Sequence, residues 1–277
     1  MSENNLRNKL AALEALLRSY GRVLLAFSGG VDSSLLAYLG QRVLGEDFLA
    51  ITLQHSCYPR WELRDALQFA QRYDIRHELL PFDQLAVPQL RENSTQRCYY
   101  CKKAMFSLLR AKAQQGKFNQ LIDGSNADDL DDFRPGLKAL TELNVISPLK
   151  ILGWSKNEVR QASRMLQLPS AELPTCACLA TRIPYYSEVN EEKIAQIEAM
   201  EELLHMLGFQ QCRARHHGDS MRLELAAPDQ VRLLQNETMR QKLLEKAQNL
   251  GFRWLSLDLS PFRSGNMNST KPEKTSV

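Results

Sequence analysis

Short apolar runs alternate with amphipathic stretches along the first part of the chain. Four runs have the length and composition of strands, at 22–27, 48–55, 76–82 and 118–125. Helical spacing of apolar residues precedes or separates them, at 6–19, 33–45, 60–74 and 102–116. A further helix is expected at 155–168, where Ser155 and Glu158 form a capping-box pattern. Strands that alternate with helices indicate βαβ units and a parallel sheet covered on both faces.

This alternation stops at residues 169–188, which contain three prolines, two cysteines and no clear period. Loops of this length are uncommon in compact domains and are often functional. A long helix then follows Asn190, a strand pair surrounds "GDS", one helix covers 229–252 and a last strand covers 253–259. "LGF" joins a helix to a strand at 207–209 and again at 250–252. The pattern predicts an α/β domain at 1–188 and a smaller α+β domain at 189–277.

Composition limits the classes of function. The 277 residues are 44% hydrophobic and 24% charged, with a net charge of +3, as in an ordinary globular protein. That charge is too small and too dispersed to indicate nucleic-acid binding. No apolar run approaches the roughly 20 residues that span a bilayer, and the N-terminus lacks a secretory apolar core. We expect a cytoplasmic protein that acts without a membrane or a nucleic acid.

The loop "SGGVDSS" (28–34) follows the first strand and opens a helix. Glycine lets the backbone adopt positive φ and approach a phosphate, and the amides at a helix start favour an anion. The candidate phosphate ligands are Ser28, Gly29, Gly30, Ser33 and Ser34. Asp32 suits an anion site only if a cation bridges it to the phosphate, as Mg²⁺ commonly does. The alternative is a strand–turn–helix joint without a ligand; neither the Walker A ending nor Gly-x-Gly-x-x-Gly is present.

An acidic stretch, "DGSNADDLDDFRPG" (123–136), follows the fourth strand. It therefore lies at a carboxyl end of the sheet, where α/β folds bind ligands. Asp128 is the first choice for a second magnesium ligand, and Arg134 is a candidate for binding phosphate. A solvated acidic loop is the simpler interpretation.

Four of the six cysteines form two close pairs, Cys98 with Cys101 and Cys176 with Cys178. Close pairs in a reducing compartment favour a metal site or catalysis over disulfides. A redox pair, a site for zinc made by all four thiols, and inert packing are the other interpretations of Cys98 and Cys101. Cys57 and Cys212 are isolated and are expected to be buried.

"SGGVDSS" resembles the PP-loop of the ATP pyrophosphatases, whose shared fold is a doubly wound α/β domain. Together with "DGSNADDLDDFRPG", "CLATRIPY" (178–185), "RAR" (213–215) and "FRSG" (262–265), it resembles the LarE family over nearly the whole chain. These are ATP-dependent sulfur transferases of nickel-pincer cofactor biosynthesis. The resemblance implies that ATP adenylylates a carboxylate of a pyridinium dicarboxylate mononucleotide, which then receives sulfur.

The resemblance also offers two sources of that sulfur. One form of the family sacrifices a single loop cysteine; the other holds a [4Fe-4S] cluster on three cysteines and transfers an extra sulfide. Cys98 and Cys101 favour the cluster form, with Cys178 as third ligand and Cys176 as the alternative or as a sulfur relay. Cys178, Cys176, Asp32 and Arg182 are the implied catalytic residues.

Arginines bind phosphates and carboxylates bidentately, and Arg213 and Arg215 alternate on one predicted strand, so that both face one way. Arg263 and Glu201 match family positions near the substrate phosphate or a subunit contact. The family also implies a homo-oligomer, commonly a hexamer, whereas the source of replenishing sulfide, a cysteine desulfurase or another donor, is unknown.

Three other functions fit parts of the pattern. A tRNA thiolase of the same superfamily also combines a cluster with adenylylation, but the chain has no basic RNA-binding extension. A scaffold that binds ATP without catalysis would not need the intact Ser-Gly-Gly-x-Asp-Ser. An amidotransferase-type synthetase would join ammonia to the adenylate, and the clustered cysteines favour sulfur instead.

Overall fold

The computed structural model describes residues 3–130, 136–174 and 177–262, which pack as two compact units. The first unit comprises the described residues of 1–87 and 96–176, and the second those of 88–95 and 177–277. The sequence pattern predicts a domain boundary after residue 188, between two segments that would each fold alone. The packing of the chain does not test whether a segment folds alone, so this boundary stays a prediction.

The α-helices of the described residues are α1 (Glu3–Ser19), α2 (Val31–Leu44), α3 (Arg60–Arg72), α4 (Pro88–Arg91), α5 (Arg97–Gln115), α6 (Gly136–Glu142), α7 (Pro148–Ile151), α8 (Lys156–Met165), α9 (Glu191–Met206), α10 (Ala227–Gln235) and α11 (Glu237–Asn249). The strands are β1 (Val23–Ala26), β2 (Phe48–Gln54), β3 (His77–Pro81), β4 (Gln120–Ile122), β5 (Cys212–His217), β6 (Ser220–Leu225) and β7 (Trp254–Leu257). Among these, α4, α6 and α7 are not predicted by the sequence pattern, because segments of four to seven residues are too short to show a period.

The first unit is built on a parallel sheet with the strand order β3-β2-β1-β4. Its strands have the short apolar runs that the sequence predicts, and the doubly wound α/β class is confirmed. The chain moves outward from β1 in one direction through β2 and β3, then returns to the other side with β4. The topological switch point therefore lies between β1 and β4, where folds of this class bind ligands.

Both faces of this sheet are covered by apolar side chains. Val23 and Leu25 of β1 pack into one core with leucines of α1 and α2. Leu24, whose side chain points the other way, packs into a second core with Phe106 and Leu109 of α5. A strand that is buried on both faces has an apolar residue at nearly every position, which explains the sequence "VLLA" of β1.

The second unit contains the sheet β5-β6-β7, in which β5 and β6 are antiparallel and β6 and β7 are parallel. Met200, Leu204 and Phe209 belong to its core. The two "LGF" segments end their helices in the same way: Gly208 and Gly251 have φ of 84° and 88°, and a buried phenylalanine follows each.

The prediction of a single helix at 229–252 is wrong. The structure breaks it into α10 and α11 at Asn236, whose side chain accepts a hydrogen bond from the amide of Met239 at 3.0 Å. Asparagine competes with a continuing helix by capping a new one. Across the described ranges, no helix is both long and apolar enough to span a membrane.

Candidate functional site

The phosphate loop leaves β1 in a conformation that only glycine accommodates at its second position. Gly29 has φ of +67°, and a Cβ there would lie 2.7 Å from the Cβ of Ala66 in α3. Both the dihedral angle and the close approach therefore exclude a side chain. The loop runs directly into α2, whose N-cap is Gly30. The first amides of a helix are free to bind an anion, so the loop and the start of α2 suit the predicted phosphate site, which stays a prediction.

The serines of the loop mostly bond to the loop itself. The Ser33 hydroxyl lies 3.1 Å from both the Ser28 hydroxyl and the Gly30 carbonyl oxygen. The buried Ser34 donates to the Gly29 carbonyl at 3.0 Å. Tyr58 fixes the loop from outside by donating to the Ser28 carbonyl at 2.8 Å. Ser33 and Ser34 thus hold the loop in shape, while Ser28 and Gly30 are exposed.

Asp32 lies in the first turn of α2 and has two polar partners. Its Oδ1 accepts a hydrogen bond from the Asn126 amide at 3.1 Å, and its Oδ2 pairs with the ammonium group of Lys156. Lys156 is a site residue that the sequence pattern does not predict. The Ser155 cap places it at the start of α8, but nothing in its spacing shows that it reaches a carboxylate 124 residues away.

Asp128 belongs to the same group of side chains. Its Oδ2 accepts the backbone N–H of Lys156 at 2.8 Å, and its own N–H donates to Asn126 Oδ1 at 3.0 Å. Gly124, which follows β4, packs so closely on α2 that a Cβ would lie 3.0 Å from the Ser33 nitrogen. The structure therefore brings Asp32 and Asp128 to one place beside the switch point, with Asn126 and Lys156 between them.

Cys98 and Cys101 lie near the start of α5, three residues apart and so on one face of the helix. Cys98 is exposed and Cys101 is buried. The Gln84 side-chain amide donates to the Cys101 sulfur at 2.9 Å, and the Cys101 sulfur lies 3.6 Å from the Met105 sulfur. A side chain from outside α5 therefore holds the sulfur of Cys101 in place.

In the second unit, Cys178 immediately precedes a short 3₁₀ helix at Leu179–Arg182. Arg182 is fully buried and forms two hydrogen bonds with Glu201, of 2.9 and 3.0 Å. Its remaining nitrogen donates to the carbonyl oxygens of Ala177 and Cys178, at 2.5 and 3.3 Å. Burial would raise the pKa of Glu201, but the charge and hydrogen bonds of Arg182 outweigh it and lower that pKa. The pair holds the backbone around Cys178.

Arg213 and Arg215 lie on one face of β5, as predicted, and they are buried rather than solvated, with exposures of 9% and 5%. Arg215 pairs with the buried Glu224 at 2.7 Å and donates to the Thr181 carbonyl at 2.9 Å. The Arg213 guanidinium lies 4.9 Å from the centre of the Phe262 ring. These contacts fix both guanidinium groups in the second unit.

Three predicted site residues, Arg134, Cys176 and Arg263, lie outside the described residues. Within 3–130, 136–174 and 177–262, no three His, Cys, Asp or Glu side chains are close enough together to hold a metal ion. The predicted third cluster ligand, Cys178, belongs to the second unit and Cys98 and Cys101 belong to the first. The ligand set of a cluster thus stays a prediction.

Comparison with known proteins gives both a family and full-length relatives. The sequence model described as NAD synthase matches residues 4–121. A protein of Synechocystis sp. described as uncharacterized is 38% identical over 95% of this chain and 98% of its own. The pyridinium-3,5-bisthiocarboxylic acid mononucleotide synthase of Lactiplantibacillus plantarum is 33% identical over 96% of this chain and 95% of its own. The similarities to these two relatives extend through both units, whereas the NAD synthase model ends at residue 121.

Proposed function

We propose the function from one premise, which is that the chain belongs to the LarE family of ATP-dependent sulfur transferases within the PP-loop superfamily. The Lactiplantibacillus plantarum relative is named for a pyridinium-3,5-bisthiocarboxylic acid mononucleotide. By that analogy, the substrate of this chain is a pyridinium dicarboxylate mononucleotide of nickel-pincer cofactor biosynthesis. ATP adenylylates a ring carboxylate with release of pyrophosphate, and sulfur then replaces the activated oxygen with release of AMP.

The observation that carries the first step is the group formed by Asp32, Asn126, Asp128 and Lys156 beside the phosphate loop. Two carboxylates and an amide supply oxygen atoms, which are the ligands that Mg²⁺ prefers. Asp32 and Asp128 would hold Mg²⁺, which supplies charge neutralisation for the phosphates of ATP. In the structure, the ammonium group of Lys156 balances the charge of Asp32. Once Mg²⁺ replaces that ammonium group beside Asp32, Lys156 is available to bind phosphate oxygens of ATP.

The residues of the second unit support substrate binding and sulfur delivery. Arg213 and Arg215 are held in fixed orientations, and fixed guanidinium forks suit the carboxylates and phosphate of the mononucleotide. Arg134 and Arg263 are proposed for the same task. Arg182 is proposed to act through Cys178, because it bonds to the carbonyl of that residue and to Glu201. Its role is to hold the cysteine in position.

Cys98, Cys101 and Cys178 would hold a [4Fe-4S] cluster, with Cys176 as the alternative third ligand or as a sulfur relay. The chemistry of the described donors fits: two cysteines lie one helical turn apart, and one receives a hydrogen bond on sulfur. When bound, the cluster supplies the sulfide that is transferred. The alternative source is the sulfur of Cys176 or Cys178 itself.

The activation step is tested by the variant Asp32→Asn. Replacing the carboxylate with a neutral amide removes the proposed magnesium ligand, so pyrophosphate release from ATP in the presence of substrate should fall to background. Asp47→Asn is the matched control, because Asp47 is exposed and pairs only with the surface Arg22 among the contacts that the structure gives it. Wild-type rates in Asp32→Asn would contradict the proposed role of this carboxylate.

The sulfur source is tested by the mass of the protein after one turnover under anaerobic conditions. A cluster-bound donor leaves the mass of the polypeptide unchanged. Loss of the elements of hydrogen sulfide from Cys176 or Cys178 would instead mean that the cysteine is sacrificed. The second result would remove the cluster from the mechanism and leave the ATP-dependent step intact.

We further propose a homo-oligomer, with the hexamer as the form that the family implies, acting in the cytoplasm without a nucleic acid or a membrane. The replenishing sulfide would come from a desulfurase or another donor.

A further inference from the structure

A polar side chain at the edge of the parallel sheet contacts the cysteine pair. His55 follows β2, and Gln84 begins a short 3₁₀ helix just after β3. Because β2 and β3 are parallel neighbours, their carboxyl ends bring these two residues to the same edge of the sheet. Gln84 in turn contacts Cys101 of α5. All three residues belong to the first unit.

The surroundings fix His55 and Gln84. Phe82 stacks edge-on against His55, with 6.2 Å between ring centres, and its N–H bonds to the Gln54 carbonyl at 2.9 Å. The turn that holds Gln84 is capped by Asp83, whose carboxylate accepts the Ala86 N–H at 3.1 Å. Gln84 itself is 2% exposed.

The contact between Gln84 and Cys101 has a defined donor. The NH₂ group of Gln84 lies 2.9 Å from the Cys101 sulfur and donates to it. Burial lowers the pKa of His55 to about 4, so its ring is neutral at pH 7 and adds no positive charge to this region.

We propose that Gln84 is a positioning residue for Cys101: its amide holds the sulfur of Cys101 ready to bind a metal ion. Hydrogen bonds to metal ligands orient them and strengthen the metal site, and their loss typically costs 10–100-fold in affinity. Cys98, three residues earlier on the same face of α5, is exposed, whereas Cys101 is buried against Gln84. The inference rests on the proposed function in one respect, namely that Cys101 binds metal.

The test is a Co²⁺ titration of the full-length, reduced, cluster-free chain, followed through the thiolate-to-cobalt absorption band. Gln84→Met keeps the length of the side chain and removes its donor, so Co²⁺ should bind about 10–100-fold more weakly than to the wild type. Gln71→Met, the same substitution at an exposed position of α3, should bind Co²⁺ like the wild type. Gln84→Leu should weaken binding in the same direction, because leucine also lacks the N–H donor that faces Cys101.

Two different results would count against the inference. Wild-type affinity in Gln84→Met, with an unchanged circular dichroism spectrum, overturns the role of Gln84 and leaves the proposed function standing. A band that is absent from the wild type, or that survives in Cys101→Ser, overturns the metal role of Cys101 and the inference with it. Should Gln84→Met not fold, Gln84→Leu decides in its place: weaker binding supports the inference, and unchanged binding overturns it.

Discussion

Arg182 and Glu201 illustrate how a side chain that looks catalytic in the sequence can work through another residue. The pair is fully buried, and Glu201 also accepts the backbone N–H of Ala214 at 3.0 Å. A buried ion pair contributes little net stability by itself, yet removing one partner leaves an uncompensated charge. Its contribution here is to fix the chain around Cys178 against α9 and β5.

Glu201→Gln should therefore destabilise the second unit by about 3–5 kcal/mol, because Arg182 is left buried without its counter-charge. Urea unfolding followed by circular dichroism measures the change. Glu202→Gln is the control, since Glu202 is the neighbouring residue on α9 and is exposed. Equal midpoints for the two variants would show that the buried pair does not hold this segment.

The sequence predicts the loop and the carboxylates of the site better than it predicts their partners. Gly29, Asp32 and Asp128 are recognisable because their spacing follows a strand. Lys156 and Gln84 are not, because their functions depend on residues that only the fold brings near, at 124 and 17 positions along the chain. The buried state of Arg215 is unpredictable for the same reason.

At the scale of elements, the strands and the longer helices follow from periodicity, whereas the boundaries between helices follow from single polar residues. Ser155 and Asn190 are predicted as caps and both accept a backbone N–H in the structure. Asn236 performs the same task, but it lies inside an apolar pattern that continues on both sides. The pattern alone therefore predicts one helix where the structure has α10 and α11.

Asn236→Ala should lower the free energy of unfolding by about 1 kcal/mol, because the Met239 N–H loses its side-chain acceptor. The same substitution at Asn249, exposed in the last turn of α11, should have a smaller effect. Thermal or urea unfolding distinguishes the two. An unchanged midpoint for Asn236→Ala would mean that the break between the helices is set by packing rather than by the cap.

Over the whole molecule, burial sets the acid sensitivity. All five histidines, His55, His77, His205, His216 and His217, have pKa values lowered by burial. The unfolded chain then binds protons more readily than the folded chain as the pH falls below the ordinary histidine value of about 6.5. The lowered pKa values of Glu158 and Glu201 act at more acidic pH in the same direction.

The stability of the chain should therefore decrease as the pH is lowered from about 7 to about 5, within the range over which unfolded histidines become protonated. Urea midpoints measured across this range at constant ionic strength test the expectation. From about pH 7 to about pH 8 the histidines should contribute a much smaller change, because most of them are already neutral in both states. Urea midpoints that rise on acidification would contradict the lowered pKa values of the histidines.

The α/β class of the first unit could be predicted because each strand has its own apolar run and glycine or serine marks joints such as 28–30 and 116. The ligand set proposed for the cluster is harder to predict, because Cys98 and Cys178 are far apart along the chain and belong to different units. The proposed function couples two steps, ATP cleavage and sulfur transfer.

That coupling is tested most directly by a single anaerobic turnover of the full-length protein with Mg²⁺, ATP and a pyridinium dicarboxylate mononucleotide, with the products identified by mass spectrometry. The mononucleotide should exchange one carboxylate oxygen for sulfur, with one AMP and one pyrophosphate formed for each sulfur transferred. Formation of ADP, or of AMP with an unchanged mononucleotide, would contradict the proposed coupling.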